Sequence, residues 1–262
     1  WADLATSKGA TVLLDTKVVS INVNDRNISG IKVEDNTGNE IEIVAKQYFT
    51  SLPITHFFDL IEPAVNKKIL MANSKLYYRE HITVNLIIDK SGLFLDQWIY
   101  IHEPDVKMAR VANYNNFSKS MVSKKNKTAI SVEYFAFQND QIWKLDNQSI
   151  IDLAIDEMHS VGLIDKLSVE QGFVIRETES YPTYYLGYKD SYNILKDEVN
   201  KFENLYPIGR GGMYKYNNQD HSTYSGILAA RNYLNDEGSP FDLWQINIDA
   251  EYQENEERKN SN

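Results

Sequence analysis

The chain has 262 residues, a hydrophobic content of 42%, a formal net charge of -10 and no cysteine. Its length suffices for a buried core in one or two domains, and its apolar content excludes a disordered polymer. The acidic balance disfavours broad contact with nucleic acid, and the lack of cysteine excludes disulfides, iron–sulfur clusters and thiolate-bound zinc.

The chain starts Trp1-Ala2-Asp3-Leu4, without an initiator Met or a basic leader, as expected of a piece cut from something larger. Residues 9–18 are rich in β-branched side chains and predict a strand, with a second over 18–23. Asp25-Arg26-Asn27 is a turn. Residues 28–34 alternate apolar and polar, residues 35–39 turn, and 40–45 alternate again, so a small antiparallel meander is expected. Residues 48–52 form a further apolar strand stopped by Pro53, and 53–60 start a short helix. Residues 66–76 are a second helix or a linker.

The composition then changes. Residues 81–88, 98–102, 109–113 and 128–137 are strand-like and predict a separate antiparallel sheet. Residues 147–161 carry Ile150, Ile151, Leu153, Ala154, Ile155 and Met158 at helical spacing, with Asp152, Asp156 and Glu157 on the solvent side. Residues 172–177 are a strand leading to the Tyr181-Pro182-Thr183-Tyr184-Tyr185 run, and 188–202 have helical spacing. Residues 205–208 form a short strand, Gly209-Arg210-Gly211-Gly212 a turn, and about 222–234 a last helix. The tail from Glu237 is polar and acidic apart from 241–248, and 251–262 are expected to fray. The longest apolar runs, 82–88 and 226–230, are too short to span a bilayer.

The strand–glycine–helix unit over 205–234 is the sharpest feature. Glycines after a strand permit a tight turn and close approach of a ligand, and amides at a helix start can face a phosphate. Composition alone favours an ordinary glycine turn. Three blocks taken in order are more specific. The first is Gly9, Val12, Leu14, Val18 and Ile21 with Thr50-Ser51-Leu52-Pro53-Ile54. The second is Trp98-Ile99-Tyr100-Ile101 with Arg110 and residues 113–117. The third is Tyr181-Pro182, residues 205–210, Gly212, Tyr214, Tyr216, Asn218, Asp220, Gly226, Ala229 and Ala230. Together they resemble flavin-dependent oxidoreductases of the amine oxidase and protoporphyrinogen oxidase type, nearest to the UDP-galactopyranose mutase-like branch. The resemblance covers most of residues 9–234. It departs from the family at the beginning: no Gly-x-Gly-x-x-Gly loop followed by an acidic ribose contact is present, so the adenosine-diphosphate cradle is missing.

The resemblance implies an α/β to α+β fold, with a partial FAD-binding Rossmann-like domain from residues 1–60 and 203–240. A substrate-binding domain with an antiparallel or mixed sheet and helices would occupy 61–202, and 241–262 would be a polar tail. It places Gly209, Arg210, Gly211, Gly212, Asn218 and Asp220 beside the flavin, although Asn218 and Asp220 also suit a helix cap. It places Trp98, Tyr100, Arg110, Tyr181, Tyr184, Tyr185 and Tyr216 on the substrate side, with Arg110 able to fork onto a diphosphate. Arg79 and Arg176 are weaker candidates. Tyrosines offer a flat face and one polar handle, which also suits ordinary sheet packing.

The histidines His56, His81, His102, His159 and His221 fall into no metal-ligand pattern, and Ser51 lacks a Gly-x-Ser-x-Gly setting. The lysines over 119–127 are a solvated turn. The implied function is FAD-dependent chemistry on a small organic or sugar-nucleotide substrate, in surface polysaccharide biosynthesis. A non-redox mutase-like reaction and a binding or scaffold protein that has lost FAD are the alternatives. FAD is expected in a full-length parent and not in this chain. Cytoplasmic residence and a homodimer are further expectations.

Overall fold

The computed structural model describes residues 1–124, 126–235 and 240–247. The chain divides into two compact units, Trp1–Tyr77 with Tyr184–Asn262, and Tyr78–Thr183. The seams therefore lie beside Tyr77 and Thr183, where the sequence suggests residues 60 and 202.

In the first unit, α1 (Ala2–Ser7) opens the chain. No strand forms over residues 10–15, where Val12, Leu13 and Leu14 are exposed. The two expected strands instead become one, β1 (Thr16–Asn24). It pairs antiparallel with β2 (Asn27–Asp35), and β2 with β3 (Glu40–Ile43). The β2–β3 turn is tied by Asp35, whose Oδ1 accepts from the Thr37 hydroxyl at 2.6 Å and from the amides of Thr37 and Asn39 at 2.8 and 3.0 Å. These bonds, the Thr37 hydroxyl's first, hold the Asp35 carboxyl well below the usual carboxylate range. After β4 (Tyr48–Thr50) comes α2 (Ile54–Asp59), which starts behind Pro53 and buries Ile54, Phe57 and Phe58. Strand β5 (Ile61–Glu62) adds parallel to β1, giving the order β3-β2-β1-β5. Helix α3 (Lys67–Asn73) is capped by Asn66, which accepts from the amides of Lys68 and Ile69.

The second unit is built on one sheet. Its strands are β6 (Tyr78–Ile88), β7 (Trp98–Tyr100), β8 (Arg110–Asn113), β9 (Thr128–Ala136) and β10 (Val169–Pro182). They run in the order β10-β6-β9-β8-β7, antiparallel at every pair. Helix α4 (Tyr114–Phe117) follows β8, and α5 (Asn147–Ser160) precedes β10. Strand alternation puts Ile82, Val84, Leu86 and Ile88 on one face with Ile130, Val132 and Tyr134, and α5 covers that face with Ile150, Ile151, Ala154 and Met158. Gly172 lies where α5 meets the sheet: a Cβ there would stand 2.8 Å from Ile151 Cγ2.

Helical spacing sets Asp152, Asp156 and Glu157 towards solvent, and for Glu157 the structure corrects this. Asp152 and Asp156 are exposed, but Glu157 is only 7% exposed. Its Oε1 accepts from the Lys107 amide at 2.7 Å. Its Oε2 accepts from the Met108 amide and the Tyr134 hydroxyl, each at 3.0 Å. The carboxylate is held inside by three donors from distant parts of the unit. Burial, followed by the nearby Glu157 charge, pushes the Tyr134 phenol well above its ordinary range.

The chain then returns to the first unit. Helix α6 (Tyr188–Val199) buries Leu195 and Val199 and packs against α3, which is why residues 61–77 and 184–202 belong to this unit. Strand β11 (Leu205–Pro207) pairs parallel with β4 as a two-stranded ribbon. The glycine segment is a short helix, α7 (Gly209–Met213), where the sequence suggests a turn. The last helix, α8 (Gln219–Leu234), starts three residues before the expected position. Asn204 ties the return: its Oδ1 accepts from the Ile28 amide and its Nδ2 donates to the Ile28 carbonyl, both at 2.9 Å. Within the expected polar tail, Leu243 and Trp244 are buried. Lys215 Nζ donates to the carbonyls of Trp244 and Ile246 at 2.5 and 2.9 Å, and burial, ahead of nearby Lys196, pulls its amine below the usual lysine range. Lys125 of the lysine turn, residues 236–239 and residues 248–262, with the expected frayed end over 251–262, lie outside the described residues.

Candidate functional site

The first unit carries the glycine block. Gly209 sits at φ 73° with only Ser51 Cβ, at 3.9 Å, near its missing side chain. Its amide donates to Ser225 Oγ at 2.9 Å, and its carbonyl accepts from Asn217 Nδ2 at 3.1 Å. Arg210 Nε donates to the Asn217 carbonyl at 2.9 Å. Gly211 and Gly212 lie against chain rather than open space. A Cβ would meet the Ser51 carbonyl oxygen at 2.9 Å in the first case and the Thr50 carbonyl oxygen at 2.4 Å in the second. Asn218 caps α8 in a reciprocal box with His221, whose Nδ1 accepts from the Asn218 amide at 3.3 Å. Asp220 lies inside the first helical turn, largely exposed, 3.4 Å from His221. The block is thus a self-bonded scaffold. The Gly209 amide and Arg210 Nε are already engaged, so these two groups do not fit the role of open donors to a pyrophosphate, and Gly211 and Gly212 serve backbone packing.

Tyr184, Tyr185 and Tyr216 belong to this same unit. Tyr184 stacks on Tyr188 at 4.5 Å and meets Tyr216 edge-on at 4.8 Å, while Tyr185 stacks on Tyr77 at 5.4 Å. The hydroxyls point inward: Tyr184 donates to the Tyr214 carbonyl at 3.0 Å, Tyr185 to the Lys75 carbonyl at 3.0 Å and Tyr214 to the Tyr77 carbonyl at 2.8 Å. Here the polar handle of Tyr184 and Tyr185 rivets the backbone, while Tyr184 and Tyr216 stay about 44% and 41% exposed.

Trp98, Tyr100, Arg110 and Tyr181 come together in the second unit, on the sheet face away from α5. Pairing of Arg110 with Glu133, and of His81 with Phe135, places these side chains on one face. Glu133 Oε2 accepts from Arg110 Nε at 3.0 Å and Nη2 at 2.5 Å, and lies 2.9 Å from His81 Nε2. Arg110 also lies over the rings of Trp98 and Tyr100, at 5.9 and 5.8 Å. His81 stacks on Phe135 at 5.2 Å, and Tyr181 abuts both rings. Burial alone would raise the Glu133 carboxyl; the bonds from His81 and Arg110 outweigh it and hold the group below the usual glutamate range. The fork of Arg110 is therefore already engaged by a carboxylate.

Glu133 is the residue that sequence reasoning misses here, and His81, read as lacking a partner of ligand type, has this carboxylate. The only signal was alternation: both lie at the polar positions of their strands. Arg79 lies over Phe135 and Phe137. Arg176 pins the start of α5 through the Asn147 side chain and the Leu145 carbonyl. A cleft of about 450 Å³ beside Tyr100 is lined by His102, Glu103 and Asp105, and no group of three His, Cys, Asp or Glu able to hold a metal occurs among the described residues. Nor is any described helix long and apolar enough to cross a membrane.

The lowered Glu133 carboxyl predicts acid sensitivity. Its contribution to stability is complete above the unfolded-state value of about 4.3 and is lost as pH falls through the lower folded-state value. The urea midpoint of the wild type should exceed that of Glu133→Gln by a constant margin above about pH 5, and the margin should shrink below about pH 4. A margin that stays flat to pH 3 would show that the ion pair does not stabilise the fold.

No family model and no curated protein matches the sequence. Solved structures do match. A crystal structure of reduced UDP-galactopyranose mutase superposes with a TM-score of 0.74 at 17% identity, over 92% of this chain and 50% of that one. An oxidoreductase from Methanosarcina mazei gives 0.58 at 13% identity, over 87% and 51%. A protein from Exiguobacterium sp. 255-15, provisionally assigned as a protoporphyrinogen oxidase, gives 0.56 at 15%, over 75% and 42%. The chain shares its fold with these structures. The chain spans about half the length of these structures or less.

Proposed function

We propose that this chain is the substrate-binding and flavin-edge portion of a flavoenzyme acting on a sugar nucleotide. The observation that carries the reading is the second unit's polar and aromatic sheet face, Trp98, Tyr100, Arg110 and Glu133, within a fold that superposes at 0.74 on a UDP-galactopyranose mutase. Aromatic walls suit a base or sugar ring, and the charged centre suits its polar edge. A bound flavin would supply either hydride acceptance or a non-redox role at its reactive nitrogen. The residues of this chain bind and orient the substrate.

For the flavin itself, the block at Gly209–Met213 offers a supporting wall and few open donors. The β4–β11 ribbon points the same way. It is two strands of three residues, with Phe49 and Tyr206 stacked at 5.4 Å and Tyr233 edge-on to Phe49 at 6.3 Å. Parallel strands are ordinarily covered on both faces, yet Phe49 is 42% and Tyr233 49% exposed. In this reading a dinucleotide-binding polypeptide packs there.

Titration of the purified chain tests both parts. UDP-galactopyranose should quench tryptophan fluorescence in the wild type and bind about tenfold more weakly to Trp98→Ala, since an exposed aromatic contact contributes on the order of 1 kcal/mol. The chain alone should show less than stoichiometric flavin absorbance near 450 nm. Equal binding by Trp98→Ala, or one tightly held FAD per chain, would overturn the respective part.

A further inference from the structure

We propose that Asn85 is a specificity-determining donor for a hydroxylated ring, seated in a trough on the open face of the second unit's sheet. The inference rests on the sugar-nucleotide reading above and deepens it by naming the contact and the moiety it reads. The register builds the trough. Asn85 stands opposite Ser131 on one side and Phe173 on the other, and Ser131 stands opposite Ala112, which faces Trp98. The neighbouring row runs from Ile175 through Thr83, Glu133 and Arg110 to Tyr100. Aromatic and aliphatic side chains stand at both edges; Asn85, Ser131 and Ala112 lie between them in one row, and Thr83, Glu133 and Arg110 in the other.

Exposure follows the same profile. Trp98 and Tyr100 are 55% exposed, and Phe173 and Ile175 are 47% and 44%. Between them Glu133 is 7%, Asn85 9% and Ser131 1% exposed. The parity of Asn85 is the parity of His81, whose bond to Glu133 identifies the open face. The floor thus has apolar walls, a carboxylate already neutralised by Arg110, and one amide.

That amide is left over, as are Gln47 Nε2 and Arg79 Nε elsewhere in the chain. Among the described residues, Asn85 Nδ2 is buried and has no hydrogen-bond partner. Buried donors are nearly always satisfied, and one left over calls for an acceptor supplied from elsewhere. A structural asparagine would have been anchored, as Asn73 is, donating to the Thr55 carbonyl and to Asp59. Engagement by a ligand requires the amide to turn about χ2, and no hydrogen bond at Nδ2 resists that motion. A hydroxylated ring matches the trough: its C–H faces lie on aromatic walls, and its edge oxygens accept from an amide and donate to a carboxylate.

The test is Asn85→Leu, close in volume and without polar atoms. Removal of an unsatisfied donor should leave the melting temperature of the chain unchanged or raise it by about 2–4 °C. Affinity for UDP-galactopyranose, read by tryptophan quenching, should fall about tenfold, and affinity for UDP should not change. A lowered melting temperature would make Asn85 a structural residue and overturn the inference. So would unchanged affinity for UDP-galactopyranose, or an equal fall for UDP, which would put the contact on the nucleotide. If the wild type binds neither probe, the sugar-nucleotide reading itself falls and takes the inference with it.

Discussion

Replacing Glu157 with alanine should destabilise the second unit by about 3–5 kcal/mol, close to the whole margin of a small domain. The carboxylate is buried under the sheet and accepts from the Lys107 and Met108 amides and the Tyr134 hydroxyl. Truncation removes three acceptor contacts at once, in a core where Tyr134, Met108 and Met158 are all 2% exposed or less. Each buried donor left without an acceptor costs about 1–3 kcal/mol, less what entering water restores. Glu157→Gln keeps one acceptor oxygen but turns an amide donor towards donors, so it should fall between. Urea unfolding followed by circular dichroism measures the loss, and hydrogen exchange at the Lys107 and Met108 amides localises it. A midpoint within error of the wild type for Glu157→Ala would show that the three donors find water at no cost.

Gly212→Ala is the second large effect, expected at about 3 kcal/mol. Its added Cβ would stand 2.4 Å from the Thr50 carbonyl oxygen. The obstructing atom belongs to backbone held in β4, so no side-chain rotation relieves it. Gly226→Ala is the control. It lies in α8 with nothing within 4 Å of a new Cβ, and alanine there should stabilise by about 0.5–1 kcal/mol through helix propensity. Thermal melts of the two variants should move in opposite directions. Equal and small shifts would mean that α7 can lift from β4, and the glycine requirement would then have to come from a ligand.

Much of the second unit was legible because its strands alternate. Ile82, Val84, Leu86 and Ile88 mark one face of β6, and that pattern gives both the strand and its buried side. Trp98, Tyr100, Arg110 and Tyr181 came instead from the family resemblance, and it is the register between strands that brings them to one face. Alternation did not give Glu133, because the pairing of His81 with Glu133 depends on a register between strands 52 residues apart. Glu157 was misplaced for a related reason: helical spacing sees only the helix, and two of its three donors arrive from a loop 49 and 50 residues earlier in the chain, the third from β9. The glycines of α7 read as a turn because glycine is a poor helix former. Packing against residues 50–53 and the Asn217 bonds override that propensity. The strand over residues 9–18 failed to form in its first half because β-branched content sets a preference, while a ladder needs a neighbour to pair with. Tyr184 and Tyr185 fell into the other unit because the seam at Thr183 leaves no mark in composition.

Asn204 grips Ile28 across 176 residues of chain, and β11 meets β4 across a similar span. During synthesis, the second unit leaves the ribosome as one uninterrupted stretch and can close at once. The meander, α2 and α3 emerge earlier but must wait for α6, Asn204 and β11. At about 5–20 residues per second that wait is on the order of ten seconds. For that interval Phe57, Phe58 and Tyr48 lack their later cover, which leaves the early piece the more exposed to aggregation.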